Sequence, residues 1–305
     1  MPISAVAVLP DPEVLGAYLQ KALPAFADTA WVASVGSTNQ VLMAQTRSDA
    51  QGAKPPATAP EWPRLLGAHH QTAGRGRAGR PWQDQHAQAL MFSCGFQLNE
   101  SLPALAGLSP ALGLASAHVL NTYLSVTSHK VLVKWPNDLM LADGKLGGIL
   151  VESALRRHYT PRGLFVVIGM GLNLVGHAQL TQALNRSVAD WSQTGVRIEV
   201  GELVVRLANA WQTTLQTLMS EGFESFMQSW SALDYLRGRR VSVTHQDTVL
   251  RQGQAEGVTA DGSLALRLEN GTVAPIMVGD VSIRWDRQAS QSTQAPQANQ
   301  HSENR

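Results

Sequence analysis

The chain has 305 residues, 44% of them hydrophobic and 15% charged, with a formal net charge of +1 at pH 7. That length holds one large domain or a large and a small one, while near-neutral charge excludes a global pull toward nucleic acid or anionic membrane. One cysteine, Cys94, excludes an internal disulfide and a cysteine metal cage, and with no secretory signal and no apolar stretch near the ~20 residues of a membrane span, the expectation is a cytoplasmic protein without membrane attachment.

In chain order, Asp11-Pro12-Glu13 opens a short amphipathic helix with Val14, Leu15, Tyr18, Leu19 and Leu23 on one side and Pro24 closing it. Trp31 to Val35 reads as a strand that Gly36-Ser37-Thr38-Asn39 ends, with a helix from Gln40. Ser-Thr-Asn at a strand-to-helix turn is either an N-cap alone or a set of hydroxyl, amide and free N–H groups for a ligand. Residues 45–63, rich in Ala, Pro, Gln and Ser, read as a flexible surface insertion.

Leu65 to His70 forms a short strand, on which His69 and His70 face opposite sides and share no metal. It feeds Gly74-Arg75-Gly76-Arg77-Ala78-Gly79-Arg80, three arginines and three glycines in seven residues, stopping at Pro81-Trp82. Glycine lets backbone fold back close to a ligand, and guanidinium forks suit carboxylate and phosphate oxygens. Such a segment closes over an anion, belongs to a disordered nucleic-acid-binding tail, or is a solvated turn. In a nearly neutral protein its local charge favours a small anion over a long polyanion.

Ala89 to Leu98 is a buried strand in which Cys94 is an inert thiol. Leu105 to Leu124 is a long apolar helix interrupted at Ser109-Pro110, with His118 a packed or surface residue. Val131 to Trp135, Leu139 to Leu141 and Leu146 to Glu152 are three strands separated by Pro136-Asn137-Asp138 and by the turn Ala142 to Lys145. Paired glycines inside the third, Gly147 and Gly148, imply close approach of a backbone or a ligand. Lys134 and Lys145 flank Asn137 and Asp138, gathering two cations, an amide and a carboxylate in twelve residues.

Phe165 to Leu174 is another buried strand; its Gly169-x-Gly171 lacks the third glycine and the helix of a dinucleotide fingerprint. Residues 201–236 read as helical, with Leu203, Leu207, Trp211, Leu215 and Leu218 on a core face continued by Phe223, Phe226 and Trp230. From Arg237 the period becomes two, and Asp261-Gly262 and Asn270-Gly271 are hairpin turns, giving a small SH3-like β-barrel. Residues 287–305 carry no apolar face and are expected to be disordered.

Five elements at this order and spacing resemble the biotin protein ligases, or biotin–[acetyl-CoA-carboxylase] ligases, over roughly residues 30 to 285: Ser37-Thr38-Asn39, the arginine loop 74–80, Lys134-Trp135-Pro136-Asn137-Asp138, Lys145-Leu146-Gly147-Gly148-Ile149 and Gly169-Met170-Gly171-Leu172-Asn173. The resemblance implies an α+β fold: a mixed β-sheet with flanking helices, of the class II aminoacyl-tRNA-synthetase-like, biotin/lipoyl ligase kind, plus the small C-terminal barrel. The implied division is a lead-in helix at 1–29, a catalytic domain at 30–236, the barrel at 237–286 and a tail at 287–305. The implied reaction makes biotinyl-5′-AMP from biotin and MgATP, then passes biotin to one lysine of a biotin carboxyl carrier protein.

The resemblance also implies residue roles. Ser37, Thr38, Asn39 and Gln71 meet biotin, joined by Arg75, Gly76, Arg77 and Lys145 near its carboxylate and by Gly147 and Gly148 beneath it. Arg77, Arg80, Trp82, Lys134, Asn137, Lys145 and Asn173 face ATP, with Trp82 as adenine platform. Catalytic roles fall to Lys145, Arg75, Arg77 and Asp138, the last steering the carrier lysine or holding Lys134. Mg²⁺ is held by phosphates, with no dedicated protein site. The loop is expected to be loose in the free enzyme and to fold over biotin.

Family members that double as repressors carry an N-terminal helix-turn-helix domain; 36 residues precede Ser37 and match the lead-in, so no DNA binding is expected. The 45–63 insertion exceeds that of compact members, and Ala78 stands where some relatives have a basic residue. The expected state is a monomer or homodimer. Rival readings are a lipoate ligase or octanoyltransferase, against which the barrel and arginine loop argue, and an RNA-binding protein, against which near-neutral charge argues.

Overall fold

The computed structural model describes residues 8–48, 62–82, 88–98, 107–156, 163–246, 248–279 and 282–285. Most of the 45–63 insertion, the expected helix start at Leu105 and the 287–305 tail lie outside the described residues.

Helix α1 (Pro12–Ala22) starts where Asp11 accepts a bond from the Glu13 N–H at 2.9 Å and Pro12 fills the first turn. Leu15 and Leu19 are buried, but Val14 and Tyr18 point to solvent, because the core takes a narrower stripe than the sequence pattern marked. Strand β1 (Asp28–Val35) runs into α2 (Thr38–Ser48), which therefore begins at Thr38 and claims residues 45–48 from the expected insertion. Then come β2 (Arg64–Gln71), β3 (Ala89–Leu98) and α3 (Leu108–Tyr123). Pro110 sits in the first turn of α3, where no N–H is required of it, so it does not interrupt the helix. His118 is on its exposed side.

Strands β4 (Val131–Lys134), β5 (Asp138–Leu141), β6 (Gly144–Arg156) and β7 (Gly163–Asn173) follow. Helix α4 (His177–Leu184) buries only Leu180 and left no readable pattern in the sequence. Helix α5 (Val200–Glu221) ends at Gly222, whose φ of 73° breaks the expected single helix, and α6 (Met227–Leu233) resumes after a short turn. The last strands are β8 (Arg240–His245), β9 (Thr248–Val258), β10 (Leu264–Arg267), β11 (Val273–Ile276) and β12 (Ser282–Trp285).

Among these elements the first sheet has seven strands in the order β1-β2-β3-β7-β6-β5-β4, parallel only at β1–β2. Alternate residues of its central strands serve opposite faces. Val166 and Ile168 join the main core, whereas Val167 meets Leu42 and Met43 of α2. On the main-core face Phe92 of β3 stacks on Trp211 of α5, with ring centroids 5.0 Å apart, and the Trp211 indole donates to Ser116 of α3. Burying such a ring contributes about 3 kcal/mol of transfer free energy.

The second sheet is antiparallel, five strands in the order β11-β10-β9-β8-β12, with Gly262 and Gly271 at positive φ in the two expected hairpin turns. It matches the expected C-terminal barrel. Its core residues Val241, Leu264 and Ile283 join the core of the first sheet, and the Trp135 indole donates to Gly262 O across the junction at 3.0 Å. No helix among the described residues is long and apolar enough to cross a membrane.

Candidate functional site

A cleft of about 630 Å³ opens where the end of β1, the start of α2, the loop after β2 and the β4–β5–β6 turns meet Gly279 and β12 of the second sheet. One end is a buried polar wall. The Thr38 N–H donates to Gln71 Oε1 at 2.8 Å, because the helix start leaves that donor free and Gln71 ends the neighbouring strand. Ser93 Oγ donates to Asn39 Oδ1 at 2.6 Å and lies 2.7 Å from Thr38 Oγ1. Asn39 Nδ2 donates to Glu152 Oε2 at 3.1 Å. Ser37, Thr38, Asn39 and Ser93 are no more than 3% exposed, so this wall is ordered by its own bonds. Gly169 is obligatory beneath it: a Cβ there would overlap Asn39 Oδ1 and come within 3.2 Å of Ser93 Oγ.

The arginine loop closes the other side as a hydrogen-bonded hairpin. Gly76 N donates to Arg80 O at 2.7 Å and Trp82 N to Gly74 O at 2.9 Å, with Ala78 and Gly79 at φ of 54° and 69° at the tip. Each arginine is docked. Arg75 Nη1 lies 3.4 Å from Glu152 Oε1. Arg77 donates to Asn137 Oδ1 at 3.1 Å and to Gly279 O at 2.6 Å, and Arg80 donates to Ser282 Oγ at 3.0 Å. The loop is thus folded onto the body of the protein, neither a disordered tail nor a solvated turn. Sequence patterning sees local flexibility in glycine but not partners two hundred residues away.

Trp82, at the end of the hairpin, lies over Gly171, where a Cβ would come 2.5 Å from its ring, and 5.9 Å from Lys145 Nζ. Its indole N–H is buried and has no acceptor among the described residues. Lys145 Nζ bonds Asp138 Oδ1 at 2.5 Å, both side chains about a quarter exposed or less. Burial alone would raise the Asp138 carboxyl, but Lys145, Lys134 and the more distant Arg186 bring it below its ordinary value. Burial pushes the Lys134 amine down; Asp138 opposes that shift, and Lys145 and Arg186 add to it. Asn137 donates to Ile149 O at 2.5 Å, fixing the turn that presents Asp138. Gly148 lines the cleft 3.4 Å from both Asp138 Oδ1 and Lys145 Nζ, measured from where a Cβ would sit.

Fourteen of the expected residues therefore meet in one cleft: Ser37, Thr38, Asn39 and Gln71 at the polar wall; Arg75, Gly76, Arg77, Arg80 and Trp82 in the hairpin; Lys134, Asn137, Asp138, Lys145 and Gly148 at the cationic floor. Gly147 and Asn173 are not on the wall. Gly147 spaces strands, since a Cβ there would come 2.5 Å from Gly171 O. The Asn173 amide donates to the carbonyls of Lys145 (3.3 Å) and Ala189 (3.0 Å), stitching the lysine strand to the segment after α4. Ser93, Arg186, Gly279 and residues 282–285 line the cleft and Glu152 braces it without being read from the sequence. Ser93 is the lone hydroxyl of an almost wholly buried strand, where no alternation marks it out.

Comparisons with known proteins agree on the family. Residues 42–173 match the model of the biotin/lipoate A/B protein ligase family, and residues 237–284 match the biotin protein ligase C terminal domain. The biotin–[acetyl-CoA-carboxylase] ligase of Paracoccus denitrificans is 31% identical over 209 residues, covering 66% of this chain and 82% of the relative. The bifunctional ligase/repressor BirA of Salmonella typhimurium is 32% identical over 217 residues, 71% of this chain. The chain spans 65% of the length of that relative and of its Escherichia coli counterpart. The fold is shared with the biotin protein ligase of Aquifex aeolicus in complex with biotin and ATP, at TM-score 0.63 and 24% identity over 84% of this chain and 98% of that one.

Proposed function

Because this chain belongs to the biotin protein ligases, within the biotin/lipoate A/B protein ligase family, we propose that it joins biotin to a lysine of a biotin carboxyl carrier protein at the expense of ATP. The observation that carries this reading is the pairing, in one cleft, of a buried uncharged polar wall with a cluster of cations. A ureido ring needs acceptors for its N–H groups and a donor to its carbonyl; a carboxylate attacking a phosphate needs fixed positive charge.

In the first step a biotin carboxylate oxygen bonds the α-phosphorus, the bond to the β-phosphate bridge breaks, and pyrophosphate leaves. In the second the carrier amine attacks the acyl carbon, loses a proton, and AMP departs. Ser37, Thr38, Asn39 and Gln71, with Ser93 behind them, hold the ureido ring. Arg75, Gly76 and Arg77 meet the carboxylate. Lys145 offsets the repulsion of the two anions and stabilises the charge that grows between them. Arg77, Arg80, Lys134 and Asn137 face the phosphates, and Trp82, with its unpaired N–H, faces the nucleotide. Asn173 acts on the nucleotide side by fixing the Lys145 backbone. Asp138 holds Lys145 and Lys134 before ligand arrives and receives the carrier ammonium afterwards. Residues 30–236 form the catalytic domain and 237–286 an accessory barrel that supplies the cleft's outer wall.

Magnesium accompanies the nucleotide. No group of three His, Cys, Asp or Glu among the described residues is disposed to hold a metal, and Asp138 is already paired. The described residues form no cage for the ion, which the phosphates would hold. Incubating the protein with biotin, MgATP and a carrier domain, then probing with streptavidin, tests the reading: a labelled carrier supports it, and an unlabelled carrier with active controls contradicts it.

A further inference from the structure

Glu152 is a carboxylate standing behind a site that must accept an anion, an arrangement that raises the cost of binding unless it serves something else. It lies on β6 opposite Val167 of β7, away from the cleft wall. Its two oxygens have different partners: Oε2 accepts from Asn39 Nδ2 at 3.1 Å, and Oε1 lies 3.4 Å from Arg75 Nη1. Asn39 belongs to the polar wall at the start of α2; Arg75 belongs to the arginine hairpin. The pair of bonds has a clear geometric consequence. By engaging one end of the Arg75 guanidinium, Glu152 leaves the remaining N–H groups of that five-donor fork for the cleft that Arg75 lines. By fixing the Asn39 amide nitrogen, it turns Oδ1 toward Ser93 and settles which end of the amide faces the pocket.

We propose that Glu152 is a positioning residue that couples the polar wall to the arginine hairpin, so that filling the wall and closing the hairpin favour each other. The coupling rests on the reading of the wall as the biotin site. The tie itself does not, since it rests only on the contacts of Glu152 with Asn39 and Arg75. Glu152 touches no substrate; it acts through Asn39 and Arg75. Glu152→Gln keeps an acceptor for Asn39 but removes the charge facing Arg75, whereas Glu152→Ala removes both ties.

The test is hydrogen exchange of residues 74–82 in free and biotin-bound protein, together with KM for biotin and for ATP in biotin-dependent pyrophosphate exchange. Glu152→Gln should speed exchange of the free hairpin and raise the biotin KM about threefold, as loss of a half-exposed ion pair implies. Glu152→Ala should raise it about tenfold or more through the lost charge-assisted bond to Asn39, with the ATP KM little changed in both. In an Arg75→Ala background, Glu152→Gln should not alter hairpin exchange further. Unchanged hairpin exchange in Glu152→Gln, or an additive effect on top of Arg75→Ala, overturns the tie. Altered free-hairpin exchange with an unchanged biotin KM overturns the coupling. A wild-type protein without biotin-dependent exchange instead overturns the reading of the site and the coupling with it, while the free-hairpin result still judges the tie.

Discussion

At one end of the cleft, Thr38, Asn39 and Ser93 are almost wholly buried and already bonded to one another and to Gln71 and Glu152. At the other, Arg75, Arg77 and Arg80 rest on a partly exposed carboxylate, a buried amide, a loop carbonyl and the hydroxyl of Ser282 at the start of β12. The contrast is one of cost. A buried neutral network loses about 1 to 3 kcal/mol when one member is removed and a partner is stranded. An exposed ion pair is worth about 1 kcal/mol or less and is easily exchanged. The polar wall therefore suits fixed recognition of an uncharged ring. The arginines suit groups that must leave one set of partners for another when charge arrives.

The sharpest way to break this comparison is to remove the cation on which both ends converge. Lys145→Ala should cut biotin-dependent pyrophosphate exchange by about a hundredfold or more, several kcal/mol of transition-state stabilisation, with secondary structure by circular dichroism unchanged. At the buried end, Gly169→Ala should drive the Asn39 amide out of place, since the new Cβ overlaps its oxygen. Overpacking of this kind costs about 1 to 3 kcal/mol, read as a higher biotin KM and a lower Tm together. Ser93→Ala should cost a similar amount in biotin affinity by calorimetry, because it strands Asn39 Oδ1 and removes one of the two partners of Thr38 Oγ1. Arg80→Ala, at the exchangeable end, should change Tm little and KM for ATP by no more than about fivefold.

The smallest effect concerns pH. The Asp138 carboxyl is held below its ordinary value, so the folded state binds its proton less readily than the unfolded chain does. The stability this provides is present above the ordinary carboxylate range and is lost as pH falls through the lowered value. Asp138→Asn should therefore flatten the acid limb of a Tm-versus-pH curve.

Much of this cleft was legible in the sequence because its parts are local. Asp261-Gly262 and Asn270-Gly271 announce hairpins by chemistry alone, and the period-two leucines between them mark the second sheet. The Ser37-Thr38-Asn39 turn and the glycine-spaced arginines likewise carry their signal within a few residues. What escaped is long-range. Ser93 lies on a strand buried on both faces, so no alternation sets it apart from its apolar neighbours. Glu152 is one charge at the end of an apolar run, and only folding shows that its partners are residues 39 and 75. The contacts of Arg77 with Gly279 and of Arg80 with Ser282 each join residues 202 positions apart. Gly222 was passed over because apolar spacing resumes beyond it with Phe223 and Trp230.

The most direct measurement is pyrophosphate exchange into ATP by the purified protein, run in parallel with biotin and with lipoate. The proposed reading of the polar wall as a ureido site beside a cationic floor predicts exchange that depends on biotin and not on lipoate. Exchange absent with biotin, or equal with the two acids, would contradict it.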